Sequence, residues 1–162
     1  WKNIAYPLIR HGYNKAQVKA RVDELAALFD IRFDLQRYPY ELSGGQQQTV
    51  CIMRALAISP EVLFLDEPFS ALDFEMTLFI RDKLQQVQMA TGITMFIVSH
   101  DLEDAVFLAD EILLLTRRPT RIAEIVPFGL SRPRTAEAMS DPEFIRVKAH
   151  TLQVFKREMA AI

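Results

Sequence analysis

A short polar string at a predicted helix start is the first part of this sequence suited to chemistry. Leu42-Ser43-Gly44-Gly45-Gln46 combines a small hydroxyl with two glycines. Backbone amides at a helix start can bind an anion closely, because glycine has no obstructing side chain and the helix dipole adds positive charge. Ser43 and the following amides could therefore hold a terminal phosphate. Ser-Gly-Gly alone is equally typical of an ordinary capped helix that follows a loop.

Two adjacent carboxylates, Asp66 and Glu67, follow one helix later along the chain. They end an apolar run, 62–65, of the length and composition expected of a strand buried on both faces of a parallel sheet. From there Asp66 can reach a Mg²⁺, and Glu67 can face the position where a water would attack. The alternative is that Asp66 caps the next helix and that Glu67 is a solvated loop acid.

His100 is the third residue that could contribute to chemistry. It closely follows a second apolar run, 93–98, and ligands of open α/β sheets bind at the edge where such strands end. An imidazole there could hydrogen-bond a γ-phosphate. A lone histidine is nevertheless more often structural or on the surface, and His11 and His150 have no comparable context.

Composition limits the classes of protein to which the chain can belong. The 162 residues are half apolar and carry a net charge of −2, which indicates one globular domain and argues against a broad electrostatic surface for nucleic acid. The single cysteine, Cys51, lies in an apolar helical stretch and is predicted to be a core thiol. No apolar segment reaches the ~18 residues of a membrane span, so membrane association would require a partner.

Caps, breakers and hydrophobic spacing predict the elements that position these residues. Asn14 and Gln17 form a predicted capping box for a first helix over 15–29, and 31–41 reads as a loop. The other predicted elements are a helix over 43–57, a strand at 62–65, a helix over 73–89 capped by Asp73, a strand at 93–98, a short helix from 102, a hairpin of 111–115 and 121–126, a linker at 127–139 and a helix from 142 to about 159. Strand, helix and strand in this order predict a parallel βαβ unit.

Taken together, these strings closely resemble the ATP-binding subunit of ABC transporters. The agreement covers the order and spacing of Leu-Ser-Gly-Gly-Gln, Asp-Glu-Pro, Ser-Ala-Leu-Asp and Ser-His-Asp. The resemblance implies ATP and Mg²⁺ as cofactors and an α/β fold, a partial P-loop NTPase-type parallel sheet with a small helical subdomain. It implies roles for Ser43, Gly44, Gly45 and Gln46 as the signature motif, for Asp66 as the magnesium acid of Walker B, for Glu67 as the catalytic base, for Asp73 in the D-loop that crosses the dimer interface and for His100 as the switch histidine.

The resemblance also predicts domain organisation and partners. We expect one partial ABC ATPase domain over 1–162, with the helical subdomain at about 5–57, the core sheet part at 58–126, and a linker and C-terminal helix at 127–162. The partners implied are a second ATP-binding subunit, so that each signature motif closes on ATP bound by the other, transmembrane permease subunits and, indirectly, a solute-binding protein. No nucleic acid is implied, and the expected location is peripheral, on the cytoplasmic face of the cell membrane.

Within the family, the sequence looks most like bacterial importers of the nitrate, sulfonate and taurine type. The residues that carry this narrower resemblance are the Pro-Phe-Ser-Ala-Leu-Asp stretch and the tail Asp141-Pro142-Glu143-Phe144. The alternative hypothesis is a non-transport ABC-type ATPase of DNA repair or translation, or a non-catalytic truncated remnant.

The sequence departs from the family pattern at the phosphate cradle. It has five glycines, and none begins the Gly-x-x-x-x-Gly-Lys-Ser/Thr string of a P-loop. Together with a first residue Trp1, this leads us to expect the C-terminal two-thirds of a subunit, which does not hydrolyse ATP appreciably by itself and is poorly soluble because a sheet edge is unpaired. Thr49 also departs, because the family usually has a long basic residue there.

Overall fold

The computed structural model of the chain describes residues 1–160. Contacts divide the chain into two units, one over 1–98 and one from Ser99 onward. This boundary falls inside the stretch 58–126, so the predicted three-part division stays a prediction. The last two residues of the predicted part 127–162 lie outside the described residues.

Three helices make up the first half of the first unit: α1 (Lys2–Arg10), α2 (Lys15–Leu28) and α3 (Gly44–Leu56). The capping box of Asn14 and Gln17 is present at the start of α2, as predicted. The sequence did not predict α1, which is only nine residues long and contains Pro7, a residue that normally interrupts helices. Packing compensates, because Ile4, Ala5 and Leu8 are fully buried and α1 contacts both α2 and α3.

A parallel βαβ unit completes the first unit, as predicted. Strand β1 (Val62–Asp66) pairs in parallel with β2 (Thr94–Val98), in a register that places Asp66 opposite Val98. Between the strands, α4 (Phe74–Thr91) begins at the cap Asp73 and ends at Gly92, whose left-handed φ of 67° favours glycine. The helix turns Ile80, Leu84 and Val87 into the core.

The prediction that the first strand is buried on both faces is wrong. Leu63 and Leu65 are buried, whereas Phe64 on the other face is 73% exposed. The Phe64 ring lies 5.7 Å from that of Phe96, which is also exposed. Among residues 1–160 this sheet has only two strands, and nothing in that range covers its second face. Poor solubility, which such a face favours, stays a prediction.

Cys51 is exposed, so its prediction as a core thiol is also wrong. Helix α3 buries Ile52, Met53 and Leu56, and Cys51 lies on the opposite side of the helix. The sequence predicts one apolar face for this helix, but a short apolar run such as Val50 to Met53 does not mark its edges. Tertiary packing decides which of these residues are covered.

The second unit consists of α5 (Leu102–Leu108), an antiparallel hairpin of β3 (Glu111–Leu115) and β4 (Ile122–Pro127), and α6 (Pro142–Ala160). The predicted hairpin and the predicted start of α6 are confirmed, with the Asp141 carboxylate accepting the Glu143 N–H at 2.7 Å. Phe107, Phe128 and Phe144 form the aromatic centre of this unit, in edge-to-face contacts.

The stretch 127–139, predicted as a linker, is packed into the second unit. Phe128 and Arg134 are each 2% exposed, and the guanidinium of Arg134 lies 4.4 Å from the centre of the Phe128 ring. A short 3-10 helix, Ala136–Ser140, follows. Over residues 1–160 the chain forms no helix with the length and apolar character that crossing a bilayer requires.

Candidate functional site

A reciprocal capping box builds the start of α3. The Ser43 hydroxyl accepts the Gln46 N–H at 3.3 Å, and the Gln46 side-chain oxygen accepts the Ser43 N–H at 3.0 Å. A hydroxyl that accepts one hydrogen bond still has its own proton to donate. The cap therefore fixes the direction of Ser43 and leaves its O–H able to bond to a ligand.

The two glycines that follow present open backbone amides. Neither the Gly44 nor the Gly45 N–H has a hydrogen-bond acceptor among residues 1–160. Ser43 and Gly44 are accessible to solvent, so an anion can approach them. Two free amides and a hydroxyl at the positive end of a thirteen-residue helix are the donor set that a phosphate group needs.

The carboxylates lie where β1 ends. Asp66 is its last residue and is exposed. Glu67 has a φ of 46°, which is uncommon for a residue other than glycine. Its N–H donates to the Val98 carbonyl at 2.8 Å, and its own carbonyl accepts from the Ser70 hydroxyl at 3.1 Å. Bonds on both sides of the residue thus hold this strained backbone, as is common at functional sites.

Asp73 acts as a helix cap in this structure. Its carboxylate accepts the Met76 N–H at 2.8 Å, so the predicted cap of α4 is confirmed. A cofactor-binding role for Asp73 stays a prediction. Because the cap fixes the first turn of α4, it also fixes where the loop 67–73 ends.

The signature-like glycines and the loop after Glu67 lie against each other. A Cβ placed on Gly44 would lie 3.7 Å from the Ala71 carbonyl oxygen, and one placed on Gly45 would lie 3.0 Å from Cε of Met76. The Gln48 side-chain amide donates to the Pro68 carbonyl at 2.9 Å. The structure therefore brings together the two motifs that the sequence places on separate elements.

Sequence reasoning did not find Gln48 or Met76. Both touch residues at least twenty positions away along the chain, and no local pattern signals such a pairing. Thr49, noted as a departure from the family pattern, is buried, and its hydroxyl donates to the Gly45 carbonyl at 2.8 Å. It thereby supports the first turn of α3 from inside.

His100 lies in the turn that begins the second unit. The neighbouring Ser99 hydroxyl donates to the Asp104 carboxylate at 3.2 Å and accepts the Asp101 N–H at 3.0 Å. Asp101 in turn caps α5 by accepting the Glu103 N–H at 2.8 Å. The turn is therefore well fixed and His100 is exposed on it. Its catalytic role stays a prediction.

Asp66 is the residue that would meet a magnesium ion. Within residues 1–160 no three acidic, histidine or cysteine side chains converge on one point. Mg²⁺ does not need such a cage, since it keeps several waters and usually takes one or two carboxylates together with substrate phosphates. An exposed carboxylate at the end of a half-buried strand fits that requirement.

The family match covers the signature-like string and the two carboxylates, but not Asp73 or His100. The model described as "ABC transporter" matches residues 3–70, from α1 through the signature-like string to the loop after Glu67. Over these residues the chain is similar to the ABC transporter family. Two of the motifs that carried the resemblance, Leu-Ser-Gly-Gly-Gln and Asp-Glu-Pro, lie within this stretch. Solved ABC transporter cassettes have a similar mixed α/β fold.

Similar proteins of known name include importer subunits. The taurine import ATP-binding protein TauB of Pseudomonas entomophila is 39% identical, over 93% of this chain and 60% of the relative. The aliphatic sulfonates import ATP-binding protein SsuB of Bacillus licheniformis is 38% identical, over 96% of this chain and 58% of the relative. The chain therefore spans about three-fifths of the length of these relatives.

A solved structure supports the fold. The dimeric structure of MJ0796, a bacterial ABC transporter cassette, is 27% identical and matches with a TM-score of 0.66, over 78% of this chain and 56% of the other. A post-hydrolysis state of the same cassette, dimeric and bound to ADP and Pi, matches with a TM-score of 0.64.

Proposed function

We propose that this chain contributes to an ATP-hydrolysing subunit of an ABC importer for a small solute of the taurine, sulfonate or nitrate type. In this proposal Ser43, Gly44, Gly45 and Gln46 form the signature half of a composite site. That half faces the ATP held by a second ATP-binding subunit.

The observation that carries the proposal is the pair of open amides at Gly44 and Gly45, beside a Ser43 hydroxyl oriented by its capping box. Every α-helix leaves its first N–H groups without intrahelical acceptors, and the cap here serves only Gln46. The first two amides of α3 differ from ordinary ones because both belong to glycines, so no side chain hinders the approach of an outside anion. The names of the relatives support import as the biological setting.

The carboxylates belong to the other half of the site. Asp66 would hold Mg²⁺, directly or through water, and Glu67 would take the proton of the attacking water as the base. His100 would donate a hydrogen bond to the terminal phosphate. Mg²⁺ neutralises phosphate charge when it is bound, and the strained, doubly held backbone of Glu67 limits where its carboxylate can point.

These 162 residues contain no P-loop string. Phosphoryl transfer depends almost entirely on positioning and electrostatics, and without a P-loop lysine and amide cradle the carboxylates have no fixed nucleotide to act on. We therefore propose that the 162-residue polypeptide alone does not hydrolyse ATP appreciably. Turnover by this purified chain that disappears in Glu67→Gln would contradict the proposal.

The partners follow from the importer assignment. A second ATP-binding subunit would close the composite site. Permease subunits would carry the solute across the membrane, and a solute-binding protein would deliver it to them. The location would be peripheral, on the cytoplasmic face of the cell membrane. The names of the relatives support an importer.

The experiment is ATP hydrolysis by the assembled transporter, with two site variants and one matched control. Glu67→Gln removes the base and should lower kcat by at least about a hundredfold, and Ser43→Ala should lower it by a smaller factor. Glu61→Gln is the control, because Glu61 is an exposed acid at the opposite end of the same strand and should leave kcat unchanged. Full turnover in both site variants would refute the assignment.

A further inference from the structure

Helix α3 contacts the loop 67–73 near the start of the loop, in its middle and just beyond its end, at Met76 of α4. At the beginning, the Gln48 side-chain amide donates to the Pro68 carbonyl at 2.9 Å. In the middle, Gly44 approaches the Ala71 carbonyl. Just beyond the end, the Met76 side chain lies over Gly45, so closely that a Cβ there would be 3.1 Å from its Cγ.

Both outer contacts join the loop region to α3, whereas its other backbone hydrogen bonds are local or, at the Glu67 N–H, go to Val98 of β2. Within the loop, Ser70 N–H bonds to the Glu67 carbonyl at 3.3 Å and Leu72 N–H to the Phe69 carbonyl at 3.0 Å. Those bonds shape the turn, but they do not fix it relative to α3. Gln48 is the donor that ties the loop to the helix, and Met76 is presented to Gly45 because Asp73 caps α4 at that residue.

We propose that Gln48 and Met76 are positioning residues for the reaction, which keep the signature glycines and the loop after Glu67 in one rigid surface. Neither would touch nucleotide. Gln48 acts through Pro68, the residue next to Glu67, and Met76 acts through Gly45. This inference rests on the proposed function, because it assigns the contacts a role in ATP hydrolysis.

The test compares a donor-lacking with a donor-retaining variant. Gln48→Met has a similar length and helix propensity but cannot donate, whereas Gln48→Lys can still reach the Pro68 carbonyl with a proton. A net hydrogen bond of this type corresponds to about a fivefold change in an equilibrium. In the assembled transporter we expect Gln48→Met to lower kcat about fivefold, with KM for ATP within twofold, and Gln48→Lys to restore most of it.

Amide hydrogen exchange in the same preparations gives a readout that does not depend on activity. Gln48→Met should speed exchange at the Ser70 and Leu72 amides about fivefold, and Met76→Ala should do the same if Gln48→Met fails to fold. The control is Gln86→Met, since the Gln86 side-chain amide also donates one hydrogen bond, to Asp82 at 2.7 Å on the exposed face of α4, and accepts a longer one from Lys83 at 3.4 Å. It should change neither exchange at 67–73 nor kcat.

The outcomes separate this inference from the proposed function. Unchanged exchange at 67–73 in Gln48→Met and Met76→Ala would overturn the inference, as would faster exchange with unaltered kcat. A transporter that shows the exchange changes but in which the wild type hydrolyses no ATP would refute the proposed function and leave the mechanical coupling established. Equal losses of kcat in Gln48→Met and Gln48→Lys would also overturn the role of the donor.

Discussion

Two helix ends in this molecule treat their unsatisfied backbone groups in opposite ways. The N-terminus of α3 leaves the Gly44 and Gly45 amides open to solvent. The C-terminus of α5 leaves little open, because Arg132 and Arg134 extend their guanidinium groups into it. Between them they donate to the carbonyls of Val106, Phe107, Leu108 and Ala109.

The difference separates a helix end that can bind a ligand from one that only stabilises the fold. Arg134 also donates to Leu130 and pairs with Asp110 at 3.4 Å. Burial, with the nearby charge of Arg132, lowers the pKa of Arg134 to about 10, which still leaves the side chain charged at neutral pH. A buried charge with this many acceptors is fully committed to structure. The glycine amides of α3 have no such partners, as is usual for the first amides of a helix, and the lack of side chains leaves them accessible to an anion.

The strongest test of the closed end is Arg134→Met, which keeps the bulk of the side chain and removes every donor. We expect a loss of about 3 to 5 kcal/mol in the free energy of unfolding of the second unit, because several buried carbonyls lose their partner. Urea unfolding together with amide exchange in α5 would measure it.

The matched control for that substitution is Arg132→Met. The Arg132 side chain is 14% exposed, and among the described residues it bonds to the Leu108 carbonyl and to Asp110. Because water can replace part of these bonds, we expect a loss of about 1 kcal/mol in the free energy of unfolding. Equal losses in the two variants, or a loss below about 1 kcal/mol in Arg134→Met, would show that the α5 end is not held by Arg134.

The test of the open end is Gly44→Ala. A Cβ at this position would lie 3.7 Å from the Ala71 oxygen, an ordinary contact, and alanine is the better helix residue. Unit stability should therefore rise by about 0.5 kcal/mol, while ATP hydrolysis by the assembled transporter falls because the methyl group hinders anion approach to the amides.

Gly45→Ala supplies the comparison for the open end. There the Cβ would come within 3.0 to 3.1 Å of Met76, so the gain in helix propensity should be offset by the shift that Met76 must make. Calorimetry or urea titration of both alanine variants distinguishes the two positions. A destabilised Gly44→Ala would mean that this glycine is needed for folding and not for a ligand.

The sequence predicted the features of this molecule that are encoded within a few residues. The caps at Asn14, Ser43 and Asp73 are all confirmed, since a cap is a bond between residues three positions apart. The strands after 62 and 93 were likewise found from their apolar runs. Short motifs of this kind were enough to locate the candidate site, because each of its donors and acids lies at the end of one such element.

Features that depend on distant residues were not predictable in the same way. The role of Arg134 rests on carbonyls 25 to 28 positions earlier in the chain, and the tie from Gln48 to Pro68 spans 20. Exposure of Phe64 and of Cys51 is likewise decided by which neighbour packs there. Periodicity indicates that a face is apolar, but packing alone determines whether it is buried.

The start of α6 is a third helix end, intermediate between the open start of α3 and the closed end of α5. Substitutions there have the smallest expected effect on stability. This helix start is capped like a structural end, by Asp141, yet it is on the surface, and its Glu143 bonds to the Arg146 guanidinium at 2.8 Å. The hydrogen bond from Arg146 lowers the pKa of Glu143 below its usual value of 4.5. The folded state then binds fewer protons at Glu143 than the unfolded state does, so this contribution is fully present above pH 4.5 and is lost as the pH falls through the lowered pKa.

Substitution of either partner should remove that contribution. Below pH 4.5 the free energy of unfolding should fall slightly less steeply with decreasing pH in Glu143→Gln and Arg146→Met than in the wild type, and equally so in both variants. Near neutral pH the slope of stability against pH should be the same in all three proteins. Urea midpoints from about pH 3 to 7, with an NMR titration of the Glu143 carboxyl group, would measure it. A wild-type pKa of 4.5 or above would show that the hydrogen bond from Arg146 does not stabilise the charged form of Glu143.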